Sequence, residues 1–334
     1  MTDELKPAGL APLRSPLSFF STMSLSVEKL RVAVQVRAAH LERAGDADPE
    51  TLKLYDLLRP VENFIDGHLR RCADEHPTAI WWRRISGLYS TSTQRPLEPL
   101  GKLIGEIEHF GRWYAEGNAR IPQVVPERFV TAEMKQAFTT EGKRVTFTDE
   151  AGHQWQWVMG IERLTTPSAL WKYAGLVPGM KREKGQPLPF NGTLKTMAYR
   201  TIHFGCILTG NRYADAYRRY KERIATREAA NGTEMRGTPR ARWCEQCEKS
   251  ITAKAAKYCP DCGQPLTQKT EPEGTLYKGH LDAMARRYTS KLLLSHLWLI
   301  WRTALGLPVR APYPVEYLGH TTVVDPWEMC DLPE

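Results

Sequence analysis

The 334 residues carry a net charge of +8, with 42% hydrophobic and 25% charged residues, which fits a soluble globular chain long enough for two domains or for one with insertions. Of seven cysteines four form one array, and the other three, Cys72, Cys206 and Cys330, are odd in number and widely spaced, which excludes a disulfide framework and points to a reducing cytoplasm. Residues 1–26 lack the basic start, apolar run and small-residue cleavage site of a secretory leader, and the long apolar stretch Leu292–Leu307 carries His296 and Arg302 and is too short for a bilayer, which excludes membrane classes.

Residues 1–25, with three prolines in the first 16, are expected to form a disordered or loosely docked tail. Residues 26–75 read as N-terminal helices: Leu30, Val34, Ala38 and Leu41, then Leu54, Leu57, Leu58, Val61, Phe64 and Ile65, recur mostly at spacings of three and four. Asp48 is placed to cap a helix begun by Pro49. His76-Pro77 ends that helix, and a short helix through Ile80, Trp81 and Trp82 leads into Ile85-Ser86-Gly87, a polar turn, and a helix from Pro99 to about Ala115. Helix, glycine turn, helix is the outline of a helix-hairpin-helix, in which turn amides and a helix N-terminus face a phosphate. An ordinary corner between two helices has the same outline.

Residues 118–160 read as an inserted β-hairpin, because 144–148 and 154–159 alternate, with Val145, Phe147, Trp155 and Trp157 at apolar positions around Asp149-Glu150-Ala151-Gly152. Helices are then predicted over 167–173, 194–208, 212–228 and 279–305. Tyr213, Tyr217 and Tyr220 at spacings of four and three read as core. The proline-rich segment 308–334 is expected to wrap the surface.

Between the last two helices, residues 231–274 contain Cys244, Cys247, Cys259 and Cys262 as two Cys-x-x-Cys turns, CEQC and CPDC, eleven residues apart. Each turn offers two soft ligands from one tight knuckle, so the array predicts a zinc ribbon holding one structural Zn2+, with Trp243, Tyr258, Pro260 and Gly263 supplying packing and turns. Four cysteines leave no coordination position open for water, which excludes a catalytic zinc. Such a ribbon touches nucleic acid or a protein partner, or serves only as a structural clip. Between Lys181 and Trp243 fourteen Lys or Arg stand against five Asp or Glu, so this stretch holds all of the net positive charge. Concentrated positive charge beside a zinc ribbon favours phosphate contact, although a solvated linker has the same composition.

His76-Pro77 with Ile85-Ser86-Gly87, LGKLIGEIE from Leu100 to Glu108, and LWKYAGLVP from Leu170 to Pro178 resemble the C-terminal transposase domain of the IS110/IS116 insertion-sequence family. Asn191-Gly192 with Lys195 and Arg200, then Tyr217 and Tyr220, then Ala283–Lys291 with Leu293, follow in the same order, so the resemblance covers roughly residues 75–307. It implies a mainly α fold: a helical, helix-hairpin-helix-containing DNA-binding domain over 76–230 and 275–307, with the β-hairpin and the four-cysteine zinc ribbon inserted. The chain departs from the family pattern in three places. Residues 1–75 read as helices rather than as the family's RuvC-like domain, Lys184-Gly185 stands where the family has its nucleophilic Ser-Gly, and Tyr89 replaces the second hairpin glycine. Without that serine, strand transfer loses its nucleophile.

The leading expectation is therefore a non-catalytic nucleic-acid-binding protein that grips DNA largely without regard to sequence, through Gly87, Lys102, Lys181, Arg182, Lys184, Lys195, Arg200, Arg218, Arg219 and Arg223. Nucleoid association would follow. Two alternatives remain: a transposase or recombinase subunit with another nucleophile or a partner nuclease, and an interaction subunit that binds protein through the ribbon or the C-terminal tail.

Overall fold

Ser15 starts the first helix: its side chain accepts from the Ser18 amide at 3.1 Å and Pro16 fills the first turn, so α1 runs Pro16–Ala44. The computed structural model describes residues 15–46, 48–109, 111–115, 123–124, 139–141, 144–148, 154–180, 183, 185–238, 242–251, 257–266, 271–310 and 323–333. The fold is mainly helical and divides into two compact units, Met1–Arg212 with Lys291–Glu334, and Tyr213–Ser290.

In the first unit, α1 packs antiparallel on α2 (Pro49–Asp74), tied by Ser24 to Asp66, Arg31 to Glu62, and Arg37 to Thr51 at 3.3 Å. Asp48 caps α2 as predicted, accepting from the Glu50 amide. The tail expected over residues 1–25 is corrected from Pro16 onward. Ser18, Ser21 and Ser24 supply the inward face there, and Ser21 donates to the Lys102 carbonyl at 3.1 Å, so the helix carries a polar stripe instead of an apolar one. The apolar spacing of α2 does not all turn inward: Leu57 and Phe64 are 68% and 65% exposed.

After α3 (Ala79–Trp82) the chain makes a two-stranded ribbon, β1 (Tyr89–Ser90) against β2 (Arg95–Pro96), before α4 (Glu98–Glu108). The ribbon lies between the two helices where the helix-hairpin-helix outline has a plain turn. Residues 99–107 of α4 are all buried, which makes it the central helix of the unit. The helix ends at Glu108 rather than near Ala115, because Gly111 disfavours its continuation and Trp113 and Tyr114 suit the strand β3 (Gly111–Ala115). It pairs into a five-stranded antiparallel sheet of order β4 (Gln123–Val124), β3, β7 (Gln154–Met159), β6 (Arg144–Thr148), β5 (Thr139–Glu141). The predicted hairpin is β6–β7, with Val145 opposite Trp157 and Phe147 opposite Trp155. The insertion is thus a sheet beginning at 111 and not a hairpin beginning at 118.

Three capped or continued helices follow. Thr166 caps α5 (Pro167–Tyr173), and Asn191 caps α6 (Gly192–Ile202), which continues as a π turn over His203–Ile207. Next come α7 (Arg212–Ala230) and, after the cysteine array, α8 (Lys278–Ala304). No helix among the described residues is long and apolar enough to cross a membrane.

Residues 323–333 dock on the first unit, in keeping with a wrapping segment. Trp81 Nε1 donates to the Pro326 carbonyl at 3.0 Å and the Arg84 guanidinium lies 5.5 Å from the Trp327 ring centre. His296, on α8, donates from Nε2 to the Val324 carbonyl at 2.9 Å, and burial pushes its pKa down to about 4. Between that value and the ordinary histidine value the unfolded chain binds a proton that the folded chain refuses, so stability falls as pH falls through this window. The loss from about pH 6.5 to pH 5 should be about 2 kcal/mol. Urea denaturation followed by tryptophan fluorescence at the two pH values checks this; His296→Gln, which keeps a donor but cannot titrate, should lose about 2 kcal/mol less than wild type over the same interval.

In the second unit, β8 (Glu234–Arg236) and β11 (Thr275–Tyr277) pair in parallel, and Ile224, Leu276 and Leu281 form a small core with Tyr220 and Met284. This core joins the end of α7 to the start of α8. The ribbon region, expected to be bounded by 231 and 274, therefore belongs to a larger compact unit that begins at Tyr213 and ends at Ser290.

Candidate metal centre and basic surfaces

Each cysteine pair sits in its own knuckle. Cys244 ends β9 (Arg242–Cys244), which pairs antiparallel with β10 (Lys249–Ile251), and Cys247 lies in the turn between them, its amide donating to Cys244 Sγ at 3.4 Å. Cys259 and Cys262 occupy the second knuckle, closed by the Gly263 amide on the Cys259 carbonyl at 2.9 Å and the Cys259 amide on the Gln264 carbonyl at 2.7 Å. The two knuckles share one backbone requirement. The residue after each second cysteine is left-handed, Gly263 at φ 70° and Glu248 at φ 49°, so the first knuckle places a side-chain-bearing residue where the second has glycine.

The four sulfurs lie within 4.8 Å of one another, with Cys244 and Cys262 3.4 Å apart and Cys247 and Cys259 3.9 Å apart. A tetrahedral metal with thiolate arms of about 2.3 Å has sulfur–sulfur edges of about 3.8 Å. The donor set therefore fits one tetrahedral ion. The protein charges of the site favour part of the required deprotonation: amides of Cys262 and Asp261 pull the Cys259 thiol down to about 7, whereas Cys247, sharing a proton with Cys262 and partly buried, is pushed up to about 12. Around the sulfurs the core consists of Cys244, Cys259 and Leu266, with Ile251 packed against it, and Lys249 pairs with Asp261 at the rim. Tyr258, expected to pack here, is 62% exposed.

The basic residues singled out from the sequence separate into groups. Lys102 is a correction: its side chain is fully buried on α4 and held by Glu28 at 2.8 Å and Glu98 at 2.5 Å, so it cannot meet a phosphate. Its apolar neighbours in LGKLIGEIE put it at a core position, and the pairing carboxylate of Glu28 is 74 residues away in sequence. Arg200 also reaches Glu28, at 3.0 Å, and Lys195 covers the Phe190 ring at 4.7 Å. Lys181, Arg182 and Lys184 lie outside the described residues.

At φ 82° Gly87 needs glycine, and a Cβ there would strike the Gly205 carbonyl, so the turn is pressed against the π turn while Gly87 still lines a cleft on this unit. The adjacent amide is also taken: Ser86 N donates to Asp331 Oδ1 at 2.7 Å and Ser86 Oγ to Asp331 Oδ2 at 2.5 Å. A carboxylate from the C-terminal segment fills the place that the hairpin outline reserved for a phosphate. No local pattern joins residues 86 and 331, so this was invisible in the sequence.

The second unit carries its charge on α7. Tyr213 and Tyr217 are buried and Tyr220 stacks on Tyr288 at 4.5 Å, which places the tyrosine stripe in the core. Asp282 anchors the same face, accepting from Tyr217, from Lys221 at 3.4 Å and from Arg286 at 2.7 Å. On the other side, Arg218, Arg219, Arg223 and Arg227 are exposed. Arg218 pairs with Asp215 and Arg227 with Glu228, each at 2.6 Å. Arg219 and Arg223, one turn apart, have no carboxylate partner among the described residues; Arg223 lies 5.1 Å from the Tyr220 ring centre.

No family model matches the chain, and neither the curated proteins nor the solved structures include a significant match.

Proposed function

We propose that the protein is a non-catalytic, zinc-containing nucleic-acid-binding protein, with DNA as its leading ligand and shared ancestry with the DNA-binding domain of IS110-type transposases. The observation that supports it is the pair Arg219 and Arg223, exposed on consecutive turns of α7 and uncompensated, in the same compact unit as a four-cysteine centre. Unpaired guanidiniums at helical spacing reach successive backbone phosphates and release counterions, a grip that does not read sequence. Four thiolates in tetrahedral disposition select zinc over the hard, oxygen-seeking divalent cations. Cys244, Cys247, Cys259 and Cys262 would hold it, and a closed site confers stability and not hydrolysis. Lys184 at the place of the family's serine removes the nucleophile, which supports binding without strand transfer.

Anisotropy of a labelled duplex across a salt series tests the reading. Binding should weaken steeply with salt, and Arg219→Gln with Arg223→Gln should reduce the log–log slope by about two. A wild-type protein that fails to bind duplex or single strands near physiological salt would sink the proposal and favour a protein-interaction role for the ribbon.

A further inference from the structure

A cleft of about 450 Å3 opens on the first unit between α2, the β1–β2 ribbon, the N-terminus of α4 and the π turn. That volume lies in the range of small-ligand sites. Three arginines line it, Arg70, Arg95 and Arg200, against one carboxylate, Glu98. The internal pairs account for two of these charges, since Glu98 is held by Lys102 and Arg200 by Glu28. Arg70 and Arg95 remain without a carboxylate partner among the described residues, and Arg70 Nε is buried with no hydrogen-bond partner at all. The cleft therefore carries two guanidinium charges that no carboxylate among the described residues offsets, which favours an anionic ligand.

Three further features favour an anion attached to a flat apolar group. The N-terminus of α4 lines the cleft at Leu97, Glu98 and Pro99 and adds the positive end of the helix dipole to the arginines, although the Leu100 and Gly101 amides are already used by the Leu97 carbonyl. Arg95 follows Gln94, a residue held at φ 49°, so the ribbon keeps a left-handed backbone where it presents the guanidinium. On the opposite wall Phe204 is 49% exposed, turned out by the π turn at His203–Ile207. Guanidiniums for a phosphate and an aromatic face for a base are the two elements of single-strand recognition.

We infer that this cleft seats an unpaired nucleotide of a single-stranded segment, its phosphate between Arg70 and Arg95 and its base on Phe204. A stacked duplex base has no free face to offer, so the site would select single strands or flipped bases. The choice of ligand rests on the nucleic-acid reading above, but the residues are separate from Arg219 and Arg223. Fluorescein-labelled oligothymidylate of six nucleotides, a blunt duplex, and thymidine monophosphate as competitor are the probes. The hexamer should bind the wild type, and Arg95→Gln and Phe204→Leu should each weaken it about tenfold while duplex binding stays unchanged. Arg219→Gln with Arg223→Gln should leave the losses caused by the cleft variants in place. Both cleft residues are exposed, and thermal melting confirms that the variants fold. Hexamer affinity unchanged in both cleft variants, or absent in the wild type, overturns the inference even if duplex binding holds. Monophosphate binding as tightly as the hexamer, with the same losses, would assign the cleft to a free nucleotide and overturn the strand proposal.

Discussion

Chelation of an ion held by the four cysteines is expected to unfold residues 242–251 and 257–266, the largest effect expected of any treatment. Among the described residues of the two knuckles only Cys244, Cys259 and Leu266 are buried in their own core, and two of those three are cysteines of the array. At about 25 cal/mol per Å2 one buried leucine contributes roughly 2–3 kcal/mol, far below the cost of ordering about twenty residues at about 1 kcal/mol or more each. The folding free energy of such a segment must come from metal binding, for which about 10–16 kcal/mol is typical of structural zinc. Removing the ion also leaves the sulfurs crowded at 3.4 and 3.9 Å, where several thiolates repel one another. Hydrogen exchange read by mass spectrometry should show residues 242–251 and 257–266 fully exchanged in chelator plus reductant, while α4 in the first unit stays protected. Cys259→Ser should release the one bound ion per chain under the same conditions. Unchanged protection of the two knuckles after chelation would refute a metal-nucleated ribbon.

How far the sequence speaks depends on whether a feature is local. The cysteine array needed only spacing: both knuckles are short turns, and two turns can satisfy a tetrahedron without any knowledge of the rest of the chain. The capped start of α2 at Asp48 was legible for the same reason, whereas the cap at Asn191 starts α6 two residues before the predicted 194. The start of α1 was not legible, because its inward face includes Ser18, Ser21 and Ser24, and Ser21 and Ser24 find their partners, Lys102 O and Asp66, on other helices. The five-stranded sheet showed only β6 and β7, since alternation cannot be seen in the two or three residues of β4 and β5, and β3, though as long as β6, was read as the end of the preceding helix. Among the candidate phosphate-binding residues, Arg218, Arg219 and Arg223 are exposed as their helical period requires. Lys102 was misplaced because its environment is made by Glu28 on another helix, and the amide beside Gly87 is filled by Asp331, which no local pattern places there. The cleft of Arg70, Arg95 and Phe204 was missed because it assembles three distant segments.

Lys102→Met is expected to destabilise the first unit by about 3 kcal/mol, near the lower end of what removing one partner from a buried ion pair costs. Burial alone would favour a neutral amine at this position, but Glu98 and Glu28 outweigh it and hold the Lys102 pKa above its ordinary value. Burial likewise opposes the Glu28 carboxylate, and the hydrogen bonds and charges of Lys102 and Arg200 bring its pKa below the usual glutamate value. The methionine variant therefore leaves two carboxylates facing a cation that is gone. Their side chains are 23% and 26% exposed, and Arg200 still reaches Glu28, so water and the second cation limit the penalty. A loss of about 3 kcal/mol corresponds to a melting temperature lower by about 6–12 °C for a unit of this size. Adding Glu98→Gln and Glu28→Gln should restore part of it, since an apolar side chain beside neutral amides carries no buried unpaired charge. The same variant separates the structural role from a binding one. Well below its melting temperature, Lys102→Met should bind nucleic acid as the wild type does, with the same salt slope. A slope lower by about one would return Lys102 to the phosphate contacts and contradict its burial.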